Sequence, residues 1–114
     1  MNHIETGRFG ESAAAAFLQQ EGYLLLERNY RCRAGEIDLI ARKNGALHFI
    51  EVKTRRNQYY GRPCEAVNRE KQQKIRRAAM WYLKEQEPKK TDGITEKIHF
   101  DIMEIMVHHM KDAF

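Results

Sequence analysis

The dipeptide Asn44-Gly45 constrains this chain more than any other feature, because of what stands on either side of it: "GEIDLIARK" before and "ALHFIEVKTR" after. Asn-Gly suits a two-residue hairpin turn whose central residues both need positive φ. Between two apolar runs it predicts antiparallel strands over 36–43 and 46–54, and it sets their register. With Lys43 opposite Ala46, Asp38 stands opposite Glu51 and Glu36 opposite Lys53. Asp38 and Glu51 then share one face of the sheet, with Cβ atoms about 4.5–5.5 Å apart. Lys53, two residues beyond Glu51, lies on the same face.

Opposed like charges destabilise a sheet. The conflict is relieved if one acid keeps its proton or if a cation sits between the two. A divalent cation is the simplest resolution. Carboxylate oxygens suit Mg²⁺ or Mn²⁺, ions that retain several waters and complete their shell with substrate phosphate. A neighbouring lysine can orient or polarise the attacking water, or stabilise charge on the phosphate. Together these residue types suit metal-assisted phosphodiester hydrolysis. The competing reading pairs Glu36 with Lys53 across the strands and leaves Asp38 and Glu51 as acids at a solvated sheet end. The geometry assumes an unbulged turn, since one extra residue would send the acids to opposite faces.

The rest of the chain supplies a frame for this hairpin. Phe9, Ala13, Ala16 and Phe17 follow helical spacing, which predicts a helix over 6–21 that stops at Gly22. A first strand is expected over 23–31, centred on Leu24 to Leu26, and a polar loop over 55–64. Asn68 reads as the N-cap of a helix running to 86, with Ile75, Ala78, Ala79, Tyr82 and Leu83 as its buried stripe. After a loop over 88–95, a strand over 97–107 has apolar residues on both parities, as in a strand covered on both faces. The order is helix, three-strand meander, helix, strand. A right-handed crossover through the second helix makes the last strand parallel to the third. The expected fold is α/β, a small mixed sheet flanked by helices, and 114 residues fit a single domain over 1–114.

Two more residues bear on the hairpin face. Glu11 shares a helix face with Ala14, Ala15 and Leu18, so it either points toward the sheet or serves as an acid near the helix N-terminus. Lys71, four residues before Ile75, lies on the inward stripe of its helix; it either snorkels past the core edge, the reading slightly favoured by sequence, or reaches the hairpin acids. Asp101 reads as a structural hydrogen-bonding acid.

The chain carries 20 Lys and Arg against 16 Asp and Glu, for a net charge of +4. The excess is concentrated: nine basic residues lie between Lys53 and Arg77 against only Glu65 and Glu70. That stretch is either a solvated helix face or a phosphate-binding surface. No apolar run is long enough for a membrane-spanning helix. The start of the chain has no apolar signal segment, so a cytoplasmic protein without a membrane partner is expected. Cys32 and Cys64 lack CxxC spacing and are expected to stay reduced. The five histidines show no zinc-ligand spacing.

The segments "GRFGE" (7–11), "RNYRCRAGEIDLIA" (28–41), "FIEVKTR" (49–55), "AVNREKQQKI" (66–75) and "FDIMEI" (100–105) resemble the YraN-like family of small bacterial proteins, in order and over nearly the whole chain. That family is similar to restriction-endonuclease-like nucleases, in particular archaeal-type Holliday-junction resolvases. The resemblance implies a restriction-endonuclease-like fold with a helix Glu, an Asp and a Glu-x-Lys, which fall here on Glu11, Asp38, Glu51 and Lys53. It implies that the three acids hold Mg²⁺ or Mn²⁺ with the backbone carbonyl of Val52, that Lys53 assists attack, and that Lys71 loosely matches the helix residue completing such sites. The function expected is a metal-dependent nuclease acting on DNA more than on RNA, on branched or flap structures, with Arg55, Arg56, Arg69, Lys74 and Arg77 contacting phosphates. A homodimer would supply the two active sites a symmetric junction needs. The alternative is a non-catalytic nucleic-acid-binding or accessory module on the same fold.

Overall fold

The computed structural model describes residues 3–55, 67–86 and 96–114. Its elements are α1 (His3–Gln20), β1 (Leu24–Cys32), β2 (Gly35–Lys43), β3 (Ala46–Arg55), α2 (Arg69–Gln86) and β4 (Lys97–Met106). They form one four-stranded sheet in the order β1-β2-β3-β4, antiparallel except for the parallel β3–β4 pair. The mixed sheet and the αβββαβ order are those expected, with element ends shifted by a few residues at most. The expected loops, apart from Arg55, lie outside the described residues, as does Arg56. No helix among the described residues is long and apolar enough to cross a membrane.

Local signals set the element ends. Asn44 and Gly45 have φ of 51° and 73°, the positive values of the two-residue hairpin turn, and Lys43 pairs with Ala46. α1 ends where the Gly22 N–H donates to the Gln19 carbonyl at 3.1 Å and the Tyr23 N–H to the Leu18 carbonyl at 2.9 Å. That paired closure satisfies carbonyls the helix would otherwise leave open. Asn68 caps α2, its Oδ1 accepting the Lys71 N–H at 2.8 Å.

Each face of the sheet carries a helix and its own core. α2 brings Ile75, Ala78, Ala79 and Tyr82 onto Tyr30, Ile37, Ile40, Leu47 and Phe49. α1 brings Ala14, Ala15 and Leu18 onto Leu39, Ala41 and Ile50. The apolar spacing noted in α1 runs along the wrong side: Phe9 and Phe17 are 47% and 52% exposed and Ala16 is exposed with them, whereas Ala14, Ala15 and Leu18 face inward. Ala14 and Ala15 let the helix sit close to the strands, whereas two phenylalanines would hold it off. β4 also differs from expectation. It is an edge strand whose described side chains are half-buried or exposed, not a strand covered on both faces.

The close seat of α1 is tightest at Gly10, where a Cβ would run into the Thr54 side chain on β3. Thr54 is short and held in a strand, so it has little room to yield. Gly10→Ala should therefore destabilise the protein by about 1–3 kcal/mol, despite alanine's better helix propensity. Gly7, with nothing within 4 Å of a Cβ, should tolerate alanine or gain up to about 1 kcal/mol. Urea unfolding of the two variants checks this, and opposite signs are expected.

Candidate active site

The hairpin register begins as the sequence predicts and then breaks. From Lys43–Ala46 it runs through Arg42–Leu47, Ala41–His48 and Ile40–Phe49 to Leu39–Ile50. One step further, Asp38 does not simply face Glu51. Its Oδ2 accepts the Val52 N–H at 2.7 Å, so a side chain takes over where the backbone ladder stops. On the other side of β2 a pair is missing at the same point, while the register itself shifts only between Leu25 and Glu27. The β1–β2 pairing passes from Arg28–Leu39 to Tyr30–Ile37 and skips Asn29 and Asp38. Asn29 has φ of 53°, a left-handed conformation that asparagine tolerates better than most residues.

This irregularity reverses the faces of both strands. Ile37 packs in the α2 core and Leu39 in the α1 core, although residues two apart on a regular strand share a face. Arg28 reaches Ser12 on α1 at 3.2 Å, while Tyr30 reaches Glu85 on α2 at 2.6 Å. Asp38 sits at the reversal, where the strands part and a side chain can be presented between the helices.

Glu51 stands on β3 beside it. It is 8% exposed, the one buried charged residue among those described. A lone buried carboxylate is costly, and two cations attend this one. The Lys71 Nζ lies 2.6 Å from Glu51 Oε1, and the Lys53 Nζ lies 3.8 Å from the same oxygen. Lys71 thus reaches the hairpin acids, the option that sequence reasoning ranked second. The bond depends on the Asn68 cap, which places Lys71 in the first turn of α2. Glu36 pairs with the exposed Arg31 at 3.3 Å, in place of the cross-strand partner Lys53 suggested by the register.

The charges leave a clear electrostatic imprint. Burial pushes the Asp38 carboxyl up to about 6; the Val52 N–H and the Lys71 charge oppose the rise, and the Glu51 and Glu11 charges add to it. Glu11 therefore belongs to the same electrostatic neighbourhood, half-buried on α1. Burial, followed by the neighbouring Lys71, lowers the Lys53 amine. Burial also acts to lower Lys71, but its bond to Glu51 outweighs this and holds the amine above its ordinary value. Among the described residues no three His, Cys, Asp or Glu groups converge as a ready-made ligand set. Glu11, Asp38 and Glu51 offer oxygen donors of the type hard cations take; they act on one another electrostatically, and the Lys71 ammonium rests on Glu51.

The expected phosphate contacts divide. Arg69, Lys74 and Arg77 are exposed along α2. Arg55 is drawn into an ion pair with Glu104 on β4, and its side chain is mostly buried. Beside Lys71 a cavity of about 560 Å³ opens between the β1–β2 turn and the start of α2, lined by Arg31, Glu36, Asn68, Glu70 and Lys74. Sequence reasoning did not single out His48, whose Nδ1 lies 2.6 Å from Asp101 Oδ2 and whose ring stacks on His99 at 4.7 Å. Its signal was the parallel β3–β4 register, which pairs His48 with His99.

Because the folded protein holds the Asp38 proton more tightly than the unfolded chain, this group favours folding most below pH 4. That contribution disappears as the pH rises through about 6. Asp38→Asn keeps an oxygen for the Val52 N–H but cannot ionise. The variant should match the wild type at pH 4 and exceed it by about 1–2 kcal/mol at pH 7.5, after allowance for partial solvent screening. Urea unfolding at the two pH values measures the difference.

The description "Uncharacterised protein family UPF0102" matches the chain over residues 10–105. A UPF0102 protein of Dictyoglomus thermophilum is 47% identical over 107 residues, covering 94% of this chain and 86% of its own length. One from Alkaliphilus metalliredigens is 41% identical and covers 95% of this chain and 96% of its own. A third, from Nocardia farcinica, is 42% identical over 95% of this chain and 87% of its own. The matched span contains Glu11, Asp38, Glu51, Lys53 and Lys71 together, and on this evidence the chain belongs to the UPF0102 family.

Proposed function

We propose that the protein is a divalent-metal-dependent nuclease that hydrolyses phosphodiester bonds in DNA, with branched or flap structures as its preferred substrates. The observation that carries this reading is the buried Asp38 carboxyl, which desolvation first, and then the Glu51 and Glu11 charges, push up to about 6. A site that disfavours its own ionised carboxylate favours a cation that relieves it.

Glu11, Asp38, Glu51 and the Val52 carbonyl are the groups that would hold Mg²⁺ or Mn²⁺. When bound, the ion supplies a water of lowered pKa and neutralises charge on the phosphate. The chain's own contributions follow from its geometry. The Val52 N–H holds one Asp38 oxygen and leaves the other available. Lys53, fixed on β3 with its amine lowered by burial, orients the attacking water or stabilises charge on the reacting phosphate. Arg69, Lys74 and Arg77 line up phosphates along α2 without reading base sequence. A second copy would bring a second site to a symmetric junction.

One observation favours a second reading. Glu51 is already neutralised by Lys71 and Lys53, as in a module that binds nucleic acid without cutting. Calorimetric titration of Mn²⁺ into wild type and Glu51→Ala, with cleavage assays on four-way, flap, single-stranded and RNA substrates, separates the two. The nuclease reading expects wild type to bind Mn²⁺ and cut, and Glu51→Ala to lose cleavage while keeping much of its nucleic-acid binding. Binding of nucleic acid without metal uptake or cleavage would favour the module. Replacing Lys74 with Ala should weaken binding uniformly across sequences and reduce the salt slope by about one.

A further inference from the structure

Lys71 and Lys53 both address Glu51 Oε1, but they are not equivalent. Lys53 lies 3.8 Å away on a strand, with its side chain 26% exposed. Lys71 makes the direct contact at 2.6 Å from the first turn of α2, with its side chain 43% exposed. It stands at the edge of the cavity of about 560 Å³ whose lining includes Lys74 and Arg31 together with their ion-pair partners Glu70 and Glu36. One cation is therefore carried on the sheet, and the other on the first turn of a helix with space beside it.

We propose that Lys71 is a built-in substitute for the metal ion, one that keeps Glu51 paired when no metal is bound and moves into the adjacent cavity when one arrives. This rests on the metal-dependent reading above. A buried carboxylate left without a cation is expensive, so the metal-free protein gains from the Lys71–Glu51 pair. A divalent ion on Oε1 repels the ammonium that shares this oxygen, weakens its contact and favours its moving aside. The displaced ammonium faces a cavity with three cations, Lys71, Lys74 and Arg31, against two acids, Glu36 and Glu70, and the surplus positive charge suits a phosphate oxygen. Metal binding then strengthens phosphate binding in the cavity, and by reciprocity phosphate strengthens metal binding.

The test compares Mn²⁺ binding by calorimetry to wild type, Lys71→Met and Lys53→Met, and follows the Lys71 side chain of the wild type by NMR during Mg²⁺ addition. Lys71→Met is expected to bind Mn²⁺ roughly five- to tenfold more tightly than wild type, with a smaller gain for Lys53→Met. In the wild type, the two Lys71 Hε protons should be inequivalent without metal and merge into one signal at saturating Mg²⁺, as in a freely rotating lysine. A change in electrostatics alone would not produce that merging. Mn²⁺ uptake with no gain in Lys71→Met, or Lys71 signals unchanged at saturation, would overturn this proposal and leave the nuclease reading intact. No Mn²⁺ uptake by any of the three proteins would overturn both. The NMR readout uses unaltered protein, so the outcome does not depend on a variant folding.

Discussion

The hydrogen bond from the Val52 N–H to Asp38 Oδ2 is the contact on which the candidate site depends. At that point the β2–β3 ladder has ended, and a side chain rejoins the two strands. A backbone pair there would have left Asp38 and Glu51 as an ordinary opposed couple, free to lean apart into solvent. The bond holds the Asp38 carboxylate against β3, inside the field of Glu51. An amide donor favours the ionised form, but burial and the neighbouring acids win, and the carboxyl titrates near 6. One well-placed donor fixes where the carboxylate is without relieving its charge.

The helices make this arrangement possible by close approach. Gly10 lets α1 come down onto Thr54, and Ala14 and Ala15 continue the flat contact. Glu11, the next residue after the tightest point, is thereby carried into the same electrostatic neighbourhood as Asp38. On the other face, the Asn68 cap fixes the first turn of α2 and with it Lys71. Each helix presents a charged residue close to a local feature, a glycine in one case and a cap in the other, so small changes at Gly10 or Asn68 act on the site through position alone.

Much of this frame was legible in the sequence because it rests on short-range rules. Asn44-Gly45 set the turn and five residue pairs of register, Asn68 marked the helix start, and Ile75, Ala78, Ala79 and Tyr82 marked its buried stripe. The misses have a common origin in tertiary context. Phe9 and Phe17 look like core residues by hydrophobicity, but the close approach of α1 requires alanines at the contact. β4 has apolar residues on both parities and yet ends at the sheet edge, because periodicity does not record what packs above and below. The face reversal at Asn29 and Asp38 was hidden because an alternating pattern reads straight through a single left-handed residue. Lys71 was ambiguous because its spacing suits both snorkelling and pairing, and only the three-dimensional position of Glu51 decides between them.

The place of β2 in the sheet has a mechanical consequence. Ile37, Leu39, Ile40 and Ala41 are each at most 1% exposed, because β2 is an inner strand covered by a helix core on each face, and the reversal only changes which core Ile37 joins. Strands of that kind belong to the last part of a domain to open, and a helix end, even one held by a cap, yields before them. Asp38, Glu51 and Lys53 are mounted on the slow part, and Lys71 on the fast part. The cluster resembles a vice with one jaw cast into the bed and the other bolted on beside it. A perturbation of the cluster falls first on the outer jaw, and the three residues on the sheet are the last to lose their spacing.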